Sequence, residues 1–494
     1  MWKRALPFLW LFLAQWALLL NISTPNWDAA FYYANAHSIV FDGDLHLENN
    51  LRLSYPTAGA DFVALGLDKV QTETGRVENF FAIGPSLLWV PLLALLRWGA
   101  MAAGLQPTGY EWPFVGTIAT FSALTGLMAF YLAYGFARRV CPESQARQAT
   151  FVLMFATPLL YYQFRDPLYA HTTSALLTMA VIWVWWEYGN DKWEKWQGAV
   201  SLGLLLGLAA MVRWQHAVYV VLPLLSAGRW WLARPFKRWR PAARYLFLVG
   251  LAAFIAFLPQ LAYWKLFYGH WLTMPQGVGF VDWRANYLFP LLFSTYRGLL
   301  WWLPVSFLAV IGLLWLAWRK PNMAWPLLVV LALEIFVNGS TADWFGGGGY
   351  GPRRFCSELG IFVLGYTALL QAIPAGYRAA VSAILGVAVT WEQWILLRYG
   401  LTESIGGQNL TVYGQGFRWS EVSGREFLTQ IANHLPDVWQ NPPNFFANFP
   451  LAPVYQWWQL NSFPAAHLLV LVPAGLFTIA LVWLLSRSKA ISAL

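Results

Sequence analysis

Long stretches of nearly unbroken apolar sequence recur along this chain, and no other feature restricts its fold so severely. Residues 6–20, 114–136 and 465–485 each approach the roughly 20 apolar residues that a helix needs to cross a bilayer. Across the 494 residues, 58% are hydrophobic and 11% charged, where a soluble domain carries about 25% charged residues. A water-soluble fold of this length cannot cover such a surface, so the expectation is an all-α polytopic membrane protein. Aromatic residues make up 18% of the chain, and tryptophans gather at the ends of apolar runs, as in Trp230-Trp231, Trp301-Trp302 and Trp457-Trp458. That placement suits the belts that aromatic side chains form at membrane–water interfaces.

The first apolar run follows Met1-Trp2-Lys3-Arg4, the basic start shared by secretory signals and signal anchors. No small-residue cleavage site precedes Asn21, so an uncleaved first helix is expected. With Lys3 and Arg4 cytoplasmic, residues 21–79 fall outside. Their acids Asp28, Asp42, Asp44, Glu48, Asp61, Asp68, Glu73 and Glu78 outweigh Arg52, Lys69 and Arg76, unlike a cytoplasmic loop. The run 80–103 is long enough to span but contains Pro85, Pro91 and Arg97. Counting it as a span would place Arg138, Arg139 and Arg147 outside, so an interfacial or re-entrant helix is expected there, within an outer loop of 21–112.

Further spans are expected near 113–136, 149–163 and 169–187, then in a block at 198–227 that Arg213-Trp214-Gln215-His216 interrupts, giving two short helices that meet at the outer surface. Arg229, Arg234, Lys237, Arg238, Arg240 and Arg244 mark the next loop as cytoplasmic. Spans at 245–266, 299–318, 323–338, 359–373, 378–397 and 465–486 bring the total to about twelve, with both termini cytoplasmic. The expected domains are a transmembrane module over 1–397, an outer loop or small outer domain over 398–463, and a last helix and tail over 464–494. Cys141 and Cys356 fall on opposite sides and cannot pair. The formal charge of +9 resides in short loops, as topology signals do, which argues against nucleic-acid binding.

Charged residues beside or inside apolar runs are the candidates for chemistry. Asp28 stands just past the first helix, where it can serve as general base toward a hydroxyl or cap the helix that follows. Asp166, in Tyr162-Gln163-Phe164-Arg165-Asp166-Pro167, offers a second carboxylate or a local turn with Arg165. His171 reads mainly as a packing residue. Arg213 interrupts its apolar block, and a guanidinium there either grips an anion such as a lipid phosphate or snorkels to the interface. Arg353 and Arg354 follow Gly346-Gly347-Gly348-Gly349-Tyr350-Gly351, a segment in which backbone can approach a ligand and adjacent arginines can bind phosphate. It lacks the Gly-Lys-Ser/Thr of a nucleotide-binding loop. No metal ligands are assigned: His37 and His46 near Asp42 and Asp44 match no strong pattern, and a divalent cation is left open as the sole cofactor.

Taken in order, these residues resemble a known family. Asp28 with Tyr32-Tyr33, then Gly43-Asp44, then Phe81-Ala82-Ile83-Gly84-Pro85-Ser86-Leu87-Leu88, is similar to the GT-C superfamily of polyprenyl-phosphate-sugar-dependent glycosyltransferases, which includes protein mannosyltransferases and aminoarabinose transferases. The resemblance continues through Asp166, Gly207-Leu208-Ala209-Ala210-Met211-Val212-Arg213 and Gly351-Pro352-Arg353-Arg354-Phe355. It implies interfacial helices in the first outer loop and catalytic roles for Asp28 and Asp166. It further implies that Arg213, Arg353, Arg354 and Tyr32 meet the lipid-phosphate donor. The implied partners are a polyprenyl-phosphate-linked sugar, membrane lipids and a glycan, lipid or protein acceptor, at the outer face of the plasma (inner) membrane. The glycine-rich segment and 398–463 depart from better-known relatives. A transporter or lipid flippase, or an oligosaccharide ligase or polymerase, would share the architecture.

Overall fold

The computed structural model describes residues 2–22, 25, 27–57, 71–189, 195–233, 235–347, 349–377, 389, 391 and 422–433. Within these, helix α1 (Trp2–Leu19) leads into α2 (Trp27–His37), which a π-helical turn extends to Asp42, and α3 (Glu48–Thr57). Then come α4 (Gly84–Ala102), α5 (Trp112–Ala137), α6 (Glu143–Phe155), α7 (Leu159–Phe164) and α8 (His171–Gly189). The central part is α9 (Trp196–Val212), α10 (Val221–Ala233) and the 34-residue α11 (Pro235–Tyr268). The remainder is α12 (Leu288–Phe293), α13 (Leu299–Trp302), α14 (Val305–Arg319), α15 (Pro321–Gly339), α16 (Leu359–Ala372) and α17 (Gly424–Asn433). Extended pairing among the described residues amounts to two isolated bridges, Gln71 with Val77 and Val281 with Thr341.

Five of these segments are long and apolar enough to cross a membrane: Gly84–Ala102, Trp112–Ala137, Trp239–Tyr268, Pro321–Gly339 and Arg353–Ala372. Leu6–Ala17, Trp196–Val212 and Val305–Arg319 are shorter apolar helices. Proline explains two interruptions. Pro158 separates α6 from α7, and Pro304 separates α13 from α14, because each lacks an N–H and cannot continue the ladder before it. The expected break at 213 is present: Arg213 is extended (φ −150°, ψ 115°), and a 3-10 turn over Trp214–Val220 joins α9 to α10. The expected spans at 378–397 and 465–486 lie outside the described residues, as does most of 398–463.

Basic residues cluster at one end of the bundle. Arg138 and Arg139 close α5, Lys195 precedes α9, and Arg319 and Lys320 separate α14 from α15. Arg139 pairs with Glu187 at 2.8 Å near the end of α8, and Lys320 Nζ donates to the Val140 carbonyl at 3.4 Å, so these loops share that end. The first loop gathers at the other end. There Asn21 Nδ2 donates to Arg165 O (3.0 Å) and Thr74 Oγ1 to Phe267 O (2.6 Å).

The apolar helix α4 is the exception to this alternation. Near its start Ser86 Oγ donates to Tyr32 O at 2.7 Å, and further along Arg97 donates to Val40 O while its guanidinium lies 4.9 Å from the Phe41 ring. Just beyond its end Thr108 O meets His37 Nε2 (2.6 Å) and Gly109 O accepts from Tyr33 Oη (2.5 Å). Both ends are tied to the first loop. Such a helix lies beside α2 instead of carrying the chain to the basic end, despite its sufficient length.

Two helix pairs approach closely through small residues, as helices do where lipid offers no hydrophobic drive to associate. A Cβ on Gly203 or Gly207 of α9 would strike the carbonyls of Val249 and Ala253 in α11. A Cβ on Gly312 of α14 would strike Gly365 O in α16. Opposite its seam, α11 exposes Phe247, Leu251, Phe254, Ile255 and Leu258, an apolar face suited to lipid. Trp112, Trp196, Trp231 and Trp318 are exposed at helix ends, as an interfacial belt requires. Trp230 and Trp302 depart from that expectation: both are buried, and Trp302 Nε1 donates to Thr295 O at 3.0 Å. Helix α17 docks on the same loop, with Phe427 5.5 Å from the Trp301 ring.

Candidate functional site

The end of the bundle opposite the basic loops brings all six expected site residues together. Asp28 lies in the first turn of α2 rather than at its cap, where the helix dipole favours an anion. Its Oδ2 accepts a hydrogen bond from Arg353 Nη1 at 2.5 Å, and both side chains are mostly buried. Arg353 opens a 3-10 turn over Arg353–Glu358 that leads into α16. This ion pair joins residues 325 positions apart. The sequence expectation gave Asp28 and Arg353 separate tasks, and the structure makes each the other's counter-ion.

The glycine-rich segment explains how an arginine is held there. Gly346 and Gly347 adopt φ of +77° and +66°, a region open to glycine at little cost. A Cβ on Gly349 would lie 2.7 Å from Tyr162 Oη and 2.9 Å from Arg353 Cδ. The loop therefore wraps the Arg353 side chain, which also lies 5.6 Å from the Tyr169 ring. Backbone does approach closely, as the sequence suggested, but its partner here is the protein's own guanidinium.

Arg213 reaches toward the same point from the end of α9. Its Nη1 donates to His171 Nδ1 at 2.8 Å and its Nη2 reaches Gln215 Oε1 at 3.5 Å. Both partners are neutral as arranged, since His171 accepts through Nδ1. No carboxylate pairs with Arg213 among the described residues. Tyr32, buried at 7% exposure, lies within electrostatic range of Arg213, Asp28 and Arg353. Burial pushes its phenol up to about 12, so it remains a neutral hydrogen-bond donor at physiological pH.

Asp166 occupies the turn between α7 and α8, within electrostatic range of Asp28 and Arg353, and accepts a hydrogen bond from Tyr161. Burial pushes its carboxyl above the ordinary value of 3.8, against the opposing charge of Arg165. Arg354 turns away from Asp28. Its guanidinium donates to Thr341 Oγ1 at 2.6 Å and to Asp343 Oδ1 at 2.5 Å, which fixes the start of the glycine-rich loop.

Several contributors had a different place in the sequence expectation, or none. His171, read there as packing, orients Arg213. Arg297, 4% exposed, donates to the carbonyls of Phe345 and Gly347 and so braces the glycine loop from the side. Its signal was available, because Arg297 lies in an expected outer loop just before an apolar run. His37 makes hydrogen bonds to Thr108 O and Asn50 Nδ2, while Asp42 accepts from Asn49 and Asn50. These polar groups serve to tie the first loop together.

No family model matches the chain, and no curated protein matches it. Among solved structures, the fold is similar to that of ArnT from Cupriavidus metallidurans bound to undecaprenyl phosphate, with 14% identity and a TM-score of 0.49 over 91% of this chain and 76% of that one.

Proposed function

We propose that this protein is a membrane glycosyltransferase that moves a sugar from a polyprenyl-phosphate carrier to an acceptor hydroxyl at the non-cytoplasmic face. The observation that carries this reading is Arg213: a guanidinium at the end of α9, held by neutral partners and within electrostatic range of Arg353, which already balances the Asp28 carboxylate. A fork of N–H donors to which no carboxylate is hydrogen-bonded among the described residues is suited to bidentate capture of phosphate. Tyr32 adds a neutral O–H donor.

In this mechanism the donor's phosphate binds Arg213 and draws Arg353 toward itself, which releases Asp28 from its ion pair. Asp28 then takes the proton of the acceptor hydroxyl as that oxygen bonds to the anomeric carbon. The bond between the anomeric carbon and the phosphate oxygen breaks, and the electron pair leaves with the polyprenyl phosphate. Arg213 and Arg353 stabilise the charge that develops there. Asp166 supplies a second carboxyl close to Asp28. This scheme needs no divalent cation at the leaving group, since two guanidinium groups already serve it.

Native mass spectrometry of the detergent-solubilised chain with undecaprenyl phosphate tests the carrying observation. Arg213→Ala is expected to weaken binding about ten- to hundredfold, the loss of charge-assisted hydrogen bonds, and Asp28→Asn to leave it intact. In proteoliposomes supplied with labelled lipid-linked sugar, Asp28→Asn is expected to lower transfer by a factor of about 10² to 10⁴. Full transfer by that variant would remove Asp28 as base. Solute movement without a glycosylated product would instead make the protein a transporter.

A further inference from the structure

Behind Arg213 lies a second group of ionisable side chains that the proposed reaction does not use. His216 stands on the 3-10 turn after Arg213, Glu334 on α15, and Glu358 at the end of the 3-10 turn that starts with Arg353. All three are 0% exposed, and one donor atom from each lies within 4.8 Å of the other two. Their outer contacts are extensive. His216 Nδ1 sits 3.2 Å from Glu334 Oε1, and its Nε2 meets Ser174 Oγ, which in turn lies 3.0 Å from Ser357 Oγ. Glu334 Oε2 accepts from Gln215 Nε2 (3.1 Å) and Asn338 Nδ2 (3.3 Å), and Glu358 Oε2 accepts from Tyr219 Oη (2.7 Å).

One atom in this network has nothing to bond. Glu358 Oε1 is buried and has no hydrogen-bond donor among the described residues. Arg213 and Arg354 lie within electrostatic range of Glu334, yet their hydrogen bonds go elsewhere. Two carboxylates buried together with an orphaned oxygen are costly unless a proton or a cation joins them.

We propose that His216, Glu334 and Glu358 hold a divalent transition-metal cation of the zinc or manganese class. One imidazole nitrogen and two carboxylate oxygens form a donor set suited to such ions, and a neutral imidazole with two carboxylates carries the charge of −2 that the cation cancels. Ligand atoms about 2.1 Å from a tetrahedral metal stand about 3.4 Å apart, so the three groups need to close in by a little over an ångström. The surrounding hydrogen bonds from Ser174, Gln215, Asn338 and Tyr219 have the character of the outer shell that orients metal ligands. The cation would also stiffen the turn that presents Arg213, because His216 N donates to Arg213 O at 3.0 Å. The site stands whether or not the chain transfers sugar.

The full chain, purified in detergent and stripped with a chelator, is incubated with Zn²⁺ or Mn²⁺, desalted and analysed by mass spectrometry for metal. About one ion per chain is expected in the wild type, with a rise in melting temperature, and loss of both in Glu358→Gln and His216→Gln. Asp282→Asn, at an exposed turn, is expected to retain the ion. X-ray absorption of the zinc-loaded wild type serves if the variants do not fold, and is expected to show nitrogen and oxygen ligands only. Folded wild type that holds neither ion would overturn the proposal and make the cluster a proton-sharing pair. Retention by both folded variants, or sulfur ligation, would overturn it as well.

Discussion

The ion pair between Asp28 and Arg353 shows what a single residue can and cannot reveal before folding. A charge beside an apolar run is conspicuous, so Asp28, Asp166, Arg213 and the Arg353-Arg354 pair were legible in the sequence as candidates for a site. Which charge neutralises which was not, because the pairing spans 325 positions and no periodicity reports it. Asp166 yields a prediction at this scale. Its folded value is raised by burial, so the folded chain holds that proton more tightly than the unfolded chain does. The stability it contributes is fully present below 3.8 and is lost as pH rises through the folded value. Asp166→Asn cannot titrate, so the melting temperature of the wild type should fall relative to that variant as pH is raised from 3.8 toward neutrality. Parallel melting curves would show that burial does not govern this carboxyl. Glu334 teaches the converse lesson. It interrupts Leu331-Ala332-Leu333 and Ile335, and an acid inside an apolar helix carries the same signal as Arg213, yet the sequence reading gave it no role.

At the scale of elements, apolar runs foretold helices well and their interruptions less evenly. The break at Arg213 was expected, because a charge in a span must find a polar place. The breaks at Pro158 and Pro304 were not, since each lies inside a stretch read as one span, and whether a proline kinks or stops a helix depends on what neighbours satisfy the freed carbonyls. The glycines of the seams were equally silent, as nothing local distinguishes Gly207 or Gly312 from glycines that face open space. Their role follows only from the helix laid against them. Gly207→Leu and Gly312→Leu should each force α9 from α11 or α14 from α16 and cost about 1–3 kcal/mol through overpacking. Gly250→Leu is the comparison, because a Cβ there meets nothing within 4 Å. Thermal unfolding in detergent should rank Gly250→Leu close to wild type and the seam variants well below it; equal melting temperatures for all three would mean that the seams yield without strain.

For the whole molecule, the arrangement of ends follows from one helix. Charge bookkeeping removed 80–103 from the expected spans, since otherwise Arg138 and Arg139 would lie on the same side as the acidic first loop. The structure offers an independent reason: the chain leaves the first loop at Ser86 and is back against it by Thr108 and Gly109, so α4 takes it to the far end of nothing. Composition alone cannot distinguish these outcomes, because α4 is long and apolar enough to cross. Labelling can. His46, Gln106 and Asn322 are exposed, the first two flanking α4 in sequence and the third in the first turn of α15, just after Arg319 and Lys320. The native Cys141 and Cys356 are both buried, which keeps background low. In sealed vesicles of known orientation, a membrane-impermeant maleimide should modify His46→Cys and Gln106→Cys from one side and Asn322→Cys only from the other. Gln106→Cys reacting together with Asn322→Cys would mean that α4 crosses, and the six candidate site residues would then need a different account of how one end of the bundle gathers them.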